Sequence, residues 1–121
     1  MYEVAIIGAG PAGASAALFT AKAGKKTLLI DNDKGMTRRG WYENYYGIAE
    51  VDGPTLVETG HKQAQKFGAE LVSDQAVSVE PSGEGFKVTT EGGTSYEAKH
   101  VILATGAVAD LASASGVETK E

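Results

Sequence analysis

Gly8-Ala9-Gly10-Pro11-Ala12-Gly13 carries the spacing GxGxxG, whose chemistry is the binding of a nucleotide diphosphate by backbone N–H groups. In a chain with 16 glycines among 121 residues, about twice the ordinary share, the pattern alone says little. Its neighbours give it meaning. Val4-Ala5-Ile6-Ile7 before it is a continuous apolar run of the kind buried on both faces of a parallel sheet, and Pro11 suits a first helical turn. Each glycine then has a role: Gly8 permits the tight turn, Gly10 leaves no Cβ between backbone and diphosphate, and Gly13 lets helix and strand lie close. Pro11 and Ala12 belong to the first turn, where free N–H groups and the positive end of the helix dipole favour an anion. Asp31, ending a second apolar run and followed by Asn32, is placed to accept hydrogen bonds from an adenosine ribose and to repel a 2′-phosphate. A solvated acid at a strand end is the competing reading of Asp31.

Other chemistries find less support. The chain has no cysteine, so it holds no disulfide, thiolate metal site or CxxC pair, and redox work must come from a bound cofactor. His61 and His100 lack metal-ligand spacing and read as surface or boundary residues. No GxSxG marks a hydrolase nucleophile. Sixteen acidic against eleven basic residues give a net charge of −5, which disfavours nucleic acid and anionic membrane as partners. Arg38 and Arg39 stand beside Trp41, Tyr42, Tyr45 and Tyr46. They read either as a stacking and phosphate-binding surface or, more simply, as a loop held to the core by amphipathic aromatics with solvated arginines. With no apolar run of about 20 residues and no basic leader at Met1, the expected location is cytoplasmic.

The elements that must position these residues follow from pattern. A helix is expected from Pro11 to about Ala23, alanine-rich and closed by Gly24, then a strand at Thr27–Ile30, completing a βαβ unit. Residues 32–53 lack a period and read as a long loop with room for a short helix. A second helix runs from Pro54 to about Phe67, followed by a strand at Glu70–Val72. Ala76–Glu80, Phe86–Thr90 and Thr94–Ala98, separated by glycine-bearing turns, predict a three-stranded antiparallel meander. Val101–Ala104 then reads as a separate, buried parallel strand. The fold class is α/β: a Rossmann-like parallel sheet with flanking helices and a β-meander, spanning residues 1–107, with 108–121 expected to be an exposed tail.

The order of these motifs resembles the FAD-binding half of the thioredoxin reductase family of pyridine nucleotide-disulfide oxidoreductases. The residues that carry it are Ile6–Gly13, Glu43-Asn44-Tyr45-Tyr46-Gly47, Asp52-Gly53-Pro54-Thr55-Leu56, Gln65–Glu70 and Val101–Ala107. The resemblance implies FAD as cofactor, with Ala104-Thr105-Gly106 passing close to it, Asn44 near its flavin end and Val77 meeting the adenine through its backbone. It also implies NAD(P)H as electron donor. The chain departs from the family in lacking a second glycine fingerprint, a CxxC and the later Gly-Asp strand, and in having no glycine-glutamine element between Gly35 and Gly40. It therefore reads as a fragment, or as a small member without the nicotinamide domain. The expected function is a flavoprotein oxidoreductase passing electrons from reduced nicotinamide to an unidentified acceptor, with a homodimer left open. Two alternatives stand beside it: a non-catalytic FAD- or ADP-binding module, and a small NAD-dependent dehydrogenase. No side chain stands out as an acid, base or nucleophile.

Overall fold

The computed structural model describes residues 1–106. The tail expected at 108–121 lies outside the described residues. In chain order the elements are β1 (Tyr2–Ile7), α1 (Pro11–Lys22), β2 (Thr27–Asp31), a 3-10 turn (Met36–Arg39), the short strands β3 (Trp41–Tyr42) and β4 (Val51–Asp52), α2 (Gly53–Lys66), β5 (Glu70–Ser73), β6 (Ala76–Ser82), β7 (Gly85–Thr90) and β8 (Ser95–Leu103). A six-stranded sheet has the order β5-β2-β1-β8-β7-β6, and β3 pairs with β4 apart from it. The strands β5, β2, β1 and β8 are mutually parallel, whereas β8, β7 and β6 form the antiparallel meander.

Val4 to Ile7 are all buried, so β1 has no solvated face and needs cover on both sides. Strand alternation divides the task. Val4, Ile6 and Leu29 pack against Ala14, Ala17 and Ala21 of α1 and Ala64 of α2. Ala5, Ile7, Leu28 and Ile30 face the other way, onto Ala76, Val88 and Ala98 of the meander, which curls over that face. Ile6, Leu28, Leu29 and Ile30 are essentially inaccessible, each worth roughly 1.5 to 3 kcal/mol of apolar transfer. Among the described residues no helix is long and apolar enough to cross a membrane.

Two expectations are corrected. The third meander strand and the final parallel strand are one continuous β8. Ala98 is the crossing point, pairing with Phe86 of β7 on one side and Tyr2 of β1 on the other. Lys99 and His100 carry no turn chemistry, so nothing interrupts the strand as it passes from one partner to the next. The 32–53 loop is also held differently from the simpler sequence reading. Trp41 is 59% and Tyr46 99% exposed, so these aromatics do not clamp it. Backbone contact does: the Gly53 N–H donates to the Gly40 carbonyl at 2.8 Å, and a Cβ on Gly53 would overlap the Thr37 carbonyl. Among the described residues, Tyr42 alone of the four aromatics makes a side-chain hydrogen bond, its hydroxyl donating to the Thr37 carbonyl at 3.0 Å.

Candidate functional site

A cleft of about 610 Å³ opens at the C-terminal ends of β1, β2 and β8, where ligands of open α/β sheets bind. Its first wall is the glycine turn, Gly8 to Ala12. Gly8 sits at φ +105°, and a Cβ there would overlap the Ala104 carbonyl. Gly13 is buried behind the wall, where a Cβ would overlap the Gly8 carbonyl. Gly10 is the opposite case: a Cβ would meet nothing within 4 Å, because the space beside it is open.

The two helix starts differ in a way that matters chemically. At α2, Asp52 caps the helix, accepting from the Thr55 N–H at 3.0 Å and the Thr55 hydroxyl at 2.7 Å. These bonds, the hydroxyl's first, hold the Asp52 carboxyl below its ordinary range. At α1, Gly10 supplies no capping side chain, Pro11 follows, and no acid stands in the first turn. The Ala14 N–H reaches the Gly10 carbonyl at 2.9 Å, which leaves the N–H groups of Ala12 and Gly13 without an intrahelical acceptor. An anion in the cleft would meet these donors and the positive helix end without competition from a carboxylate.

The far end of the cleft holds Asp31 and Asn32. Asp31 Oδ1 accepts the Asp33 N–H at 2.9 Å and Oδ2 the Arg38 guanidinium at 3.0 Å. Arg38 also reaches Asp33 through Nε at 2.8 Å. Arg38 is therefore not the solvated arginine of the simpler reading. The 3-10 turn carries it back across the end of β2, a proximity that the seven-residue separation does not announce. Each Asp31 oxygen has a further lone pair free for a hydroxyl donor. Asn32 Oδ1 accepts the Lys34 N–H at 3.0 Å.

Asp74, Gln75, Ala76 and Val77 form a third wall, with Val77 42% exposed. No motif or spacing in the sequence marks Asp74. Its carboxyl is held below the usual range first by the Thr90 hydroxyl and then by the Gln75 N–H, which lies at 2.8 Å. Ala104, Thr105 and Gly106 complete the enclosure, tied to β1 by the Ala104 N–H donating to the Ile7 carbonyl at 2.8 Å. Asn44 is exposed and is not one of the cleft's walls. His61 requires correction. It is buried on α2, and its Nε2 lies 2.6 Å from the Ala9 carbonyl in the glycine turn. A helix face made of Gly53, Val57, His61 and Ala64 is the signal that could have placed it inside.

A parallel sheet, a glycine turn opening the first helix and a cleft over the strand ends define a Rossmann-type α/β domain of the nucleotide-binding class. The pattern of the pyridine nucleotide-disulphide oxidoreductase family matches residues 2–121, and the chain belongs to that family. It is 43% identical over 120 residues to a thioredoxin reductase of Peptoclostridium acidaminophilum, a match covering 96% of this chain and 38% of that protein. Against the thioredoxin reductase of Rickettsia conorii it is 46% identical over 114 residues, covering 88% of this chain and 36% of the relative. Among solved structures, the atypical thioredoxin reductase TRi of Desulfovibrio vulgaris Hildenborough superposes with a TM-score of 0.81 at 39% identity, over 89% of this chain and 37% of that one. The chain thus spans little more than a third of the length of these relatives.

Proposed function

We propose that this chain is the FAD-binding domain of a thioredoxin reductase-like flavoprotein oxidoreductase that passes electrons from reduced nicotinamide to an acceptor the site does not specify. The observation that carries the reading is the uncapped, acid-free start of α1, which faces the same cleft as the partly engaged carboxylate of Asp31. The residues present fit a dinucleotide cofactor. Gly10 leaves room for a diphosphate, Ala12 and Gly13 offer N–H donors to it, and Asp31 with Asn32 offers acceptors to the adenosine ribose. Val77, exposed in the cleft wall, would offer its backbone to an adenine edge, and Ala104-Thr105-Gly106 keeps the approach to the cofactor free of bulk. Asn44 is assigned to the flavin end, beyond these walls. When bound, FAD supplies hydride acceptance and electron transfer, and this chain's contribution is position and electrostatics.

The experiment is purification of the chain followed by titration with FAD and with ADP. A yellow protein with flavin absorbance at one FAD per chain supports the reading. A colourless protein that binds ADP but not FAD sinks it in favour of a nucleotide module without turnover.

A further inference from the structure

His61, a buried imidazole on α2, has no part in the reading above. We infer that His61 is a positioning residue for the diphosphate-binding turn, holding the Ala9 carbonyl toward α2 and so turning the Gly10 N–H toward the cleft. This inference rests on the FAD-binding reading, because the diphosphate is what the turned N–H would meet.

Its chemistry is set by the partner. A carbonyl oxygen only accepts, so at 2.6 Å from the Ala9 oxygen the His61 Nε2 must carry the proton, and in the neutral ring Nδ1 is the bare nitrogen. Ala9 lines the cleft and His61 does not, so the bond draws the carbonyl away from the space a ligand would occupy. The Ala9–Gly10 peptide is trans and planar, so its N–H points opposite to its carbonyl, and fixing one direction fixes the other. The Gly10 N–H has no acceptor among the described residues. The next residue, Pro11, has no N–H to offer, which makes the orientation of Gly10 count for more.

A glycine turn needs such a tether. The Ala9–Gly10 peptide turns about ψ of Ala9 and φ of Gly10, and Gly10, with no Cβ and open space beside it, offers little steric resistance to that rotation. Rotated, that peptide would present the Ala9 oxygen, with its partial negative charge, to a diphosphate. The mount for the tether is firm. Asp52 caps α2, Gly53 abuts the backbone of Thr37 and Arg38, and His61 lies on the same buried face as Gly53, Val57 and Ala64.

The test compares the 121-residue chain with His61→Leu and His61→Gln by calorimetric titration with ADP and, separately, with adenosine. His61→Leu is expected to weaken ADP about tenfold, the worth of one hydrogen bond, while adenosine changes by less than about twofold. His61→Gln, whose amide can still donate, is expected to recover most of the ADP affinity. ADP binding unchanged in His61→Leu, or ADP and adenosine weakened alike, overturns the positioning role while leaving the FAD-binding reading standing. A folded wild-type chain that binds neither ADP nor FAD overturns that reading and the inference with it. Independently of any variant, nitrogen NMR of the wild-type ring in mildly alkaline solution should show the Nε2–H tautomer. The Nδ1–H tautomer would overturn the inference.

Discussion

A Cβ on Gly8 would overlap the carbonyl oxygen of Ala104, so the glycine turn after β1 and the Ala-Thr-Gly end of β8 press against each other without a side chain between them. The two segments are nearly a hundred residues apart and are brought into register by the parallel pairing of β1 and β8, which ends at Ile7 beside Leu103. The three glycines of the turn therefore answer to different constraints, and substitution separates them.

Gly8→Ala and Gly13→Ala each drive a methyl group into backbone, at the Ala104 and Gly8 carbonyls respectively, and Gly8→Ala also forces φ +105° on a residue that rarely adopts it. Both should cost on the order of 3 kcal/mol or more and lower the midpoint of thermal unfolding sharply. Gly10→Val adds its side chain to open space at a φ of −74° that valine accepts, so the unfolding midpoint should hold. FAD or ADP affinity should instead fall by at least about a hundredfold, about 2.7 kcal/mol. Calorimetry of unfolding and of ligand titration on the three variants checks the split, and unchanged affinity in a folded Gly10→Val protein would sink the cofactor assignment.

Asp31→Ala should weaken FAD by roughly tenfold to a hundredfold, since a hydrogen bond to a charged group contributes about 1.5 to 3 kcal/mol. Arg38→Ala leaves the carboxylate in place but removes one of its anchors, and the loss there should be smaller. Equal affinities for wild type and Asp31→Ala, measured by flavin fluorescence quenching, would make Asp31 a solvated acid with no part in binding.

Tyr2 sets a dependence on alkaline pH. Burial first, then its hydrogen bond to Glu70 and the charge of that carboxylate, push the phenol up to about 12 from an ordinary value near 10. The folded chain keeps this proton where the unfolded chain has lost it. The stabilisation is complete below about pH 10 and is lost as the pH rises from about 10 to about 12. Urea unfolding at about pH 9 and about pH 11.5 should show a marked fall in midpoint for the wild type and a shallower one for Tyr2→Phe. Parallel falls in the two proteins would remove Tyr2 as the cause.

The chain, having no cysteine, should not reduce a protein disulfide through a dithiol relay, which needs one thiolate to attack and a second thiol to resolve. With FAD and NADPH added in a thiol-free assay, slow transfer to dyes or oxygen is the most it should show. Disulfide reduction stoichiometric with NADPH and dependent on the protein would refute this expectation.

The glycine turn, β1, β2 and both helices are legible in the amino-acid sequence because each is written in contiguous residues. An apolar run of Val4 to Ile7 is a buried strand whatever follows it, and a proline just inside a helix start with a glycine after its end marks a helix locally. The membership of Ala104-Thr105-Gly106 in the same site was readable only through the resemblance, since a strand end says nothing by itself about what it touches.

Other relationships depended on contacts that no local pattern encodes. The passage of β8 from β7 to β1 at Ala98 is a matter of which partner lies alongside each half of the strand. Arg38 reaches Asp31 because the 3-10 turn brings it back, and His61 reaches Ala9, 52 residues away, because α2 packs over the turn. Residue type and spacing determine strands, helices and turns through short-range sterics and burial period. The direction in which the Ala9–Gly10 peptide points is decided only when a side chain from another element arrives to hold it, which is a property of the packed molecule.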